Sequence, residues 1–103
     1  MKNEVGSHKT SVIMDNDNVL MVTYHNTIVV KVSDDEIVLN SGGWQTNTTK
    51  RRMNQASLQY NLGFSVYQSD FCWYVSYNGD IIPFKDNMIL KRGVFYPAIR
   101  IVN

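Results

Sequence analysis

The stretch 40–54, NSGGWQTNTTKRRMN, gathers the side chains best able to hold a ligand. Gly42-Gly43 makes a permissive turn, Trp44 offers an aromatic face, and Thr46, Thr48 and Thr49 offer hydroxyls. Lys50, Arg51 and Arg52 then place three consecutive cations where a helix begins. The N-terminal end of a helix macrodipole is already positive, so cations there are unfavourable by about 0.3 to 1 kcal/mol each. Something other than helix stability has to favour them. A glycine-rich turn feeding hydroxyls, cations and a helix start toward one point suits an anion, whether a phosphate, a nucleic-acid backbone or an acidic protein patch. The GxxxxGK[ST] spacing of a P-loop is absent. The competing reading is a connecting loop with a buried Trp44 and a solvated basic turn. On the helix face away from the core, Arg51, Gln55 and Leu58 come together, and an exposed leucine beside arginine and glutamine suits a protein contact. The candidate binding set is therefore Trp44, Thr46, Thr48, Lys50, Arg51, Arg52, Gln55 and Leu58.

Catalytic chemistry finds less to work with. His8 and His25 are the only histidines, too few for a histidine-rich metal site. Cys72 and His25 are the one conceivable nucleophile and base, and strand periodicity makes Cys72 a small packing group instead. Asp34, Asp35 and Glu36 could meet a hard cation, although turns select aspartate for backbone reasons as well. Tyr67 and Tyr74 could stack bases from a sheet face, but no RNP-like motif accompanies them; cover by the C-terminal strand or a second subunit is the favoured expectation. No enzyme, cofactor or metal is expected.

These side chains need a scaffold, and 103 residues suffice for one domain. With 44% hydrophobic and 18% charged residues the chain can bury a core. Ten Lys and Arg against nine Asp and Glu give net +1, so any electrostatic function must be local. A single cysteine excludes an intrachain disulfide and favours the cytosol. No apolar run reaches the length that spans a bilayer.

Residues 1–18 read as a flexible arm and 19–103 as a single α+β domain: an antiparallel meander, one helix packed on a sheet face, and a second meander, with six or seven strands in all. A His25-Asn26 turn pairs Thr23 with Ile28 and Met21 with Val30; Asp34-Asp35 pairs Val32 with Ile37 and Val30 with Leu39. One face then carries Val19, Met21, Ile28, Val30, Val32, Ile37 and Leu39. The helix is expected over 49–61, capped by Thr48 and followed by Gly63, with Thr49, Met53, Ala56 and Tyr60 as its buried stripe. A Ser69-Asp70 turn pairs Val66 with Trp73 and Phe64 with Val75, and Asn78-Gly79 pairs Val75 with Ile82 and Trp73 with Phe84. Pro83 marks an edge strand. A last strand is expected over 94–102, interrupted at Pro97.

Across 27–77, above all at GGWQTNTTKRRMN and at 64–75 with its WYV, the chain resembles a group of small bacteriophage proteins. The resemblance covers about half the chain, implies a viral origin and brings no catalytic residues with it. Small phage proteins without an active site frequently act by occluding a host machine, an analogy independent of fold. The leading expectation is a non-enzymatic protein of the host cytoplasm that inhibits or modulates a host complex, as an anti-CRISPR or other anti-defence factor. A small nucleic-acid-binding protein using Trp44 to Arg52 is the alternative, and a virion assembly factor a third. Nucleic-acid mimics are strongly acidic, which a chain at net +1 is not. The expected partner is a host protein or nucleoprotein complex, with nucleic acid as a second class and no membrane, for a chain that is a monomer or homodimer.

Overall fold

The computed structural model describes residues 9–92. Along the chain run β1 (Thr10–Met14), β2 (Leu20–Tyr24), β3 (Thr27–Val32), β4 (Glu36–Leu39), α1 (Asn47–Gln59), β5 (Phe64–Ser69), β6 (Cys72–Tyr77), β7 (Asp80–Pro83) and β8 (Met88–Lys91). They form two antiparallel sheets, β1-β2-β3-β4-β8 and β5-β6-β7, with α1 against β2, β3 and β5. This is the expected α+β arrangement, with eight strands among the described residues. The final strand expected over 94–102 lies outside them.

Two strands escaped the sequence reading. Residues 10–14, assigned to a loose arm, pair in register with β2 from Thr10↔Tyr24 to Met14↔Leu20. The turn before β2 is tied by Asp15, whose Oδ1 accepts from the amides of Asp17 at 2.8 Å and Val19 at 3.0 Å. The other is β8, which returns after the second sheet to lie beside β4, from Glu36↔Lys91 to Leu39↔Met88.

The first sheet buries Leu20, Val22, Val30, Val32, Ile37, Leu39 and Leu90 on its helix side. Thr23↔Ile28, Val32↔Ile37 and Val30↔Leu39 pair as expected. Met21 instead meets Lys31, because the ladder slips between Val22 and Thr23 and leaves Val29 as the extra residue of a bulge. The slip moves Met21 to the outer face and brings Leu20 and Val22 inward, which the strict alternation had reversed. Val29 and Val30 are both buried although they are consecutive.

In the second sheet the turn is Asp70-Phe71, with φ of 51° and 68°, not Ser69-Asp70. Val66 therefore faces Val75, and Phe64 faces Tyr77. The slip is two residues, so every side chain keeps its expected face. The Asn78-Gly79 turn is as read: Val75 faces Ile82, and the Phe84 amide donates to the Trp73 carbonyl at 3.0 Å. The Trp73 and Phe84 rings meet edge to face at 5.3 Å. Pro83 ends β7, an edge strand.

Thr46, not Thr48, caps the helix: its φ and ψ of −105° and 164° are extended, and its Oγ1 accepts from the Thr49 amide at 3.2 Å. At the other end Asn61 takes the left-handed conformation, φ 56°, and the Leu62 amide donates to the Ser57 carbonyl at 2.8 Å. That is a Schellman closure with asparagine where glycine is commoner. Thr49, Met53 and Ala56 are buried as expected, with Tyr60 packed against the core. Two other helix side chains weld α1 to the edge of β5. Asn54 accepts from the Val66 amide at 2.7 Å and donates to its carbonyl at 2.8 Å. Ser57 Oγ accepts from the Phe64 amide at 3.1 Å and donates to its carbonyl at 2.7 Å. Side chains thus stand where a further strand would be.

Candidate functional site

The loop that opens the candidate region is built around Ser41, which is 1% exposed. Its amide and hydroxyl both donate to Asp86 Oδ1, at 2.8 and 2.7 Å, which ties the loop to the chain just before β8. Gly42 and Gly43 have φ of 64° and 84°. A side chain at Gly42 would also collide with Thr27, so glycine is needed there twice over. Four of the loop amides are already used: Gly42 donates to Asn40 Oδ1, Gly43 to Ser41 Oγ, Trp44 to the Ser41 carbonyl and Thr46 to the Trp44 carbonyl. Their donors point at protein oxygens, and the Asp86 carboxylate sits beside them. The anion cradle expected from the glycines and hydroxyls is not what this loop forms.

The three cations go separate ways. Arg52 is only 7% exposed. Its Nε donates to Thr10 Oγ1 at 3.0 Å, its Nη1 to Gln55 Oε1 at 3.1 Å, and its guanidinium lies 5.7 Å from the centre of the Tyr24 ring. It joins helix to β1 and β2 and is withdrawn from the expected binding surface. Lys50 is half-buried, with Nζ 5.6 Å from the Trp73 ring. That placement spreads its charge over an aromatic face. Of the three, Arg51 alone is exposed. The puzzle of cations at a positive helix end is thus answered, for two of three, inside the protein.

What remains exposed falls into two patches that share no lining residue. In the first, Trp44 is 69% exposed, against the expectation of burial for a loop that is merely connecting. With Thr46 and the β2–β3 turn (Tyr24, His25, Asn26 and Thr27) it lines a cleft of about 400 Å³. The Tyr24 and His25 rings meet edge to face at 4.5 Å, and His25 has φ of 56°. Tyr24 was missed, and His25 was weighed only as a base for Cys72, because a turn residue carries no sign of what faces it; the one usable signal was two adjacent aromatic rings at a hairpin tip. The second patch is a shallow groove of about 350 Å³ along the helix, lined by Asn47, Lys50, Arg51, Asn54, Gln55 and Leu58. Leu58 is 64% exposed, as the helical phase required. Thr48 is half-buried and lines neither patch.

The remaining candidates sit elsewhere. Cys72 is exposed on the outer face of the second sheet. Tyr67 and Tyr74 stack there at 5.9 Å, both half-buried. In the acidic turn, Asp35 accepts from Ser33 Oγ at 3.1 Å and Glu36 pairs with Lys91 at 3.5 Å. Among the described residues no helix is long and apolar enough to cross a membrane.

The family model of the Kyanoviridae Gp96 protein matches residues 1–91. No curated protein and no solved structure matches the chain.

Proposed function

The chain belongs to the Kyanoviridae Gp96 family of phage proteins, and from that premise we propose that it is a non-enzymatic binding protein acting on a host complex in the host cytoplasm. An anti-defence role, including CRISPR inhibition, is the specific form of this reading. The observation that carries it is Trp44, a tryptophan two-thirds exposed over a cleft with two further aromatic rings. Tryptophan is the residue most enriched at the energetic centres of protein interfaces, and holding one in water gains the isolated domain nothing. The groove bearing Arg51, Gln55 and Leu58 supplies the arginine and apolar contact that would flank such an anchor. Nucleic acid is the weaker alternative, since Arg52 is buried and Lys50 is engaged by Trp73. Virion assembly remains a third role for the same surface.

Affinity capture from host lysate, with and without nuclease, tests this reading. Native chain should retain a host protein after nuclease treatment, and folded Trp44→Ala should lose it. Equal capture by both proteins would refute the assignment, and loss of capture on nuclease treatment would turn it toward nucleic acid.

A further inference from the structure

Besides the Trp44 cleft, the β2–β3 turn borders a second hollow, of about 490 Å³, on the face of the first sheet away from α1. Its floor follows from the ladder. Lys31 pairs with Val38 across β3 and β4, and the neighbouring pair Val30 and Leu39 is buried inward, so Lys31 and Val38 stand outward. Asn40 lies two residues beyond Val38 on the same face. Ile28, 41% exposed, completes the floor, and Asn26, Thr27 and Asn87 form the rim. Polar groups there are left over. Asn40 Oδ1 accepts from the Gly42 amide, which leaves the Asn40 NH2 group as an unused donor, and the side-chain amides of Asn26 and Asn87 bond to nothing among the described residues. Lys31 is exposed, and no carboxylate among the described residues pairs with it.

The hollow and the Trp44 cleft both use Asn26 and Thr27, so the two recesses adjoin at the tip of the hairpin. Neither lining holds a carboxylate, and Lys31 is the one lysine or arginine in either. We propose that the two recesses together seat one extended acidic segment of a partner protein, with a ring-bearing residue against Trp44 and an aspartate or glutamate at Lys31. The proposal rests on the reading of Trp44 as an interface anchor and names the chemistry of what is anchored. Charge complementarity selects the acid: an unpaired lysine over an apolar floor, with no carboxylate in the lining, is answered by an incoming one. The amides of Asn26, Asn40 and Asn87 suit the main-chain groups of an extended segment, which a sheet is not there to pair, and Ile28 with Val38 takes an apolar side chain between the two anchors. A nucleic-acid backbone calls for several cations in succession, and here there is one. Thr27 to Lys31 spans about 13 Å along β3 at roughly 3.3 Å per residue, which about four residues of extended chain cover. Ring and carboxylate should therefore stand about three to five positions apart, in either chain direction.

Selection of random dodecapeptides by mRNA display on the immobilised full chain, read by sequencing, tests this. Enriched peptides should carry a proline or aromatic residue and an Asp or Glu at that spacing. Selection on Lys31→Glu should replace the acid by Lys or Arg at the same spacing, and selection on Trp44→Ala should lose the ring. In fluorescence polarisation Lys31→Glu should weaken the best peptide about three- to tenfold, and exchanging that peptide's acid for lysine should restore binding to the variant. If Lys31→Glu fails to fold by circular dichroism, Lys31→Gln decides, and the acid should lose its enrichment there. No enrichment on the native chain, enrichment without a spaced acid, or an acid that persists on both Lys31 variants would overturn the proposal. Displacement of the peptide by single-stranded oligo(dT) would overturn it in favour of nucleic acid. Host-protein capture that needs Trp44 but ignores both Lys31 variants would remove the acidic segment and leave the Trp44 anchor standing, whereas peptides and capture indifferent to Trp44→Ala would remove the anchor as well.

Discussion

Replacing Asn54 with alanine strips two hydrogen bonds from a strand edge that pairs with no other strand among the described residues. The Val66 amide and carbonyl are held at 2.7 and 2.8 Å by the two ends of the Asn54 amide, and Val66 is 2% exposed. A buried polar group left without a partner costs about 1 to 3 kcal/mol. Two such groups, at a position that water partly reaches because Asn54 is half-buried, give a net loss of about 2 to 4 kcal/mol. In a domain of about 100 residues each kcal/mol lowers the melting temperature by about 4 to 8 °C, so the expected drop is about 8 to 32 °C. Urea unfolding followed by tryptophan fluorescence should show a lower midpoint at an unchanged slope. Hydrogen exchange gives the local readout: the Val66 amide, protected without a neighbouring strand on that side, should exchange faster in the variant. A loss below about 0.5 kcal/mol, the range of neutral surface substitutions, would refute the reasoning, as would unchanged protection at Val66.

Arg51→Glu should be neutral or slightly stabilising, because it places an anion at the helix N-terminal end, whereas Arg52→Ala should cost about 1 to 3 kcal/mol by removing a buried side chain that bonds Thr10 and Gln55 and packs on Tyr24; equal effects in a chemical melt would contradict the separation of these two cations. Trp73→Ala should cost about 3 to 5 kcal/mol, since its ring fills the second sheet's core face against Phe84 and Lys50; a variant folded at wild-type midpoint would refute that burial. Cys72→Ser should leave both stability and host-protein capture unchanged within about 0.5 kcal/mol, because the thiol is exposed on a sheet face; a folded variant without activity would overturn the non-enzymatic reading.

Period-two alternation located the hairpins but could not fix every register. A slip of two residues at Asp70-Phe71 preserves all faces, so the pattern of Phe64, Val66, Trp73 and Val75 fits either turn equally well. Phe71 in a left-handed conformation is what decides, and nothing about phenylalanine announces that. At Val29 the opposite happened: one extra residue in the ladder reversed the inside and outside of β2, and three consecutive apolar residues at 28–30 gave no sign of where the bulge lay. β1 and β8 were missed because each is short and is completed by a partner rather than by its own amphipathic pattern. The candidate site was half legible. Leu58 follows from helical phase, and the distinctiveness of Trp44 was evident from its setting. Arg52 lay three residues after Thr49 and four before Ala56, on the flank of the buried stripe, so its inward direction was readable; the expectation that charge faces water overrode it.

The order of strands in the first sheet has a consequence for how the chain is made. β4 finds its outer partner only in β8, with α1 and the whole second sheet intervening in sequence. Roughly fifty residues must be synthesised between them, which takes about 3 to 10 s at the usual pace of translation. Until then Ile37 and Leu39 of β4 have no strand made that could take the place of β8 beside them. Closing the sheet then means closing a long loop, whose entropy rises only slowly with length but which delays the reward of the β4–β8 contacts to the end. The β4–β8 ladder can therefore form only once residues 88–91 have been made, the last of the first sheet's described strands to leave the ribosome.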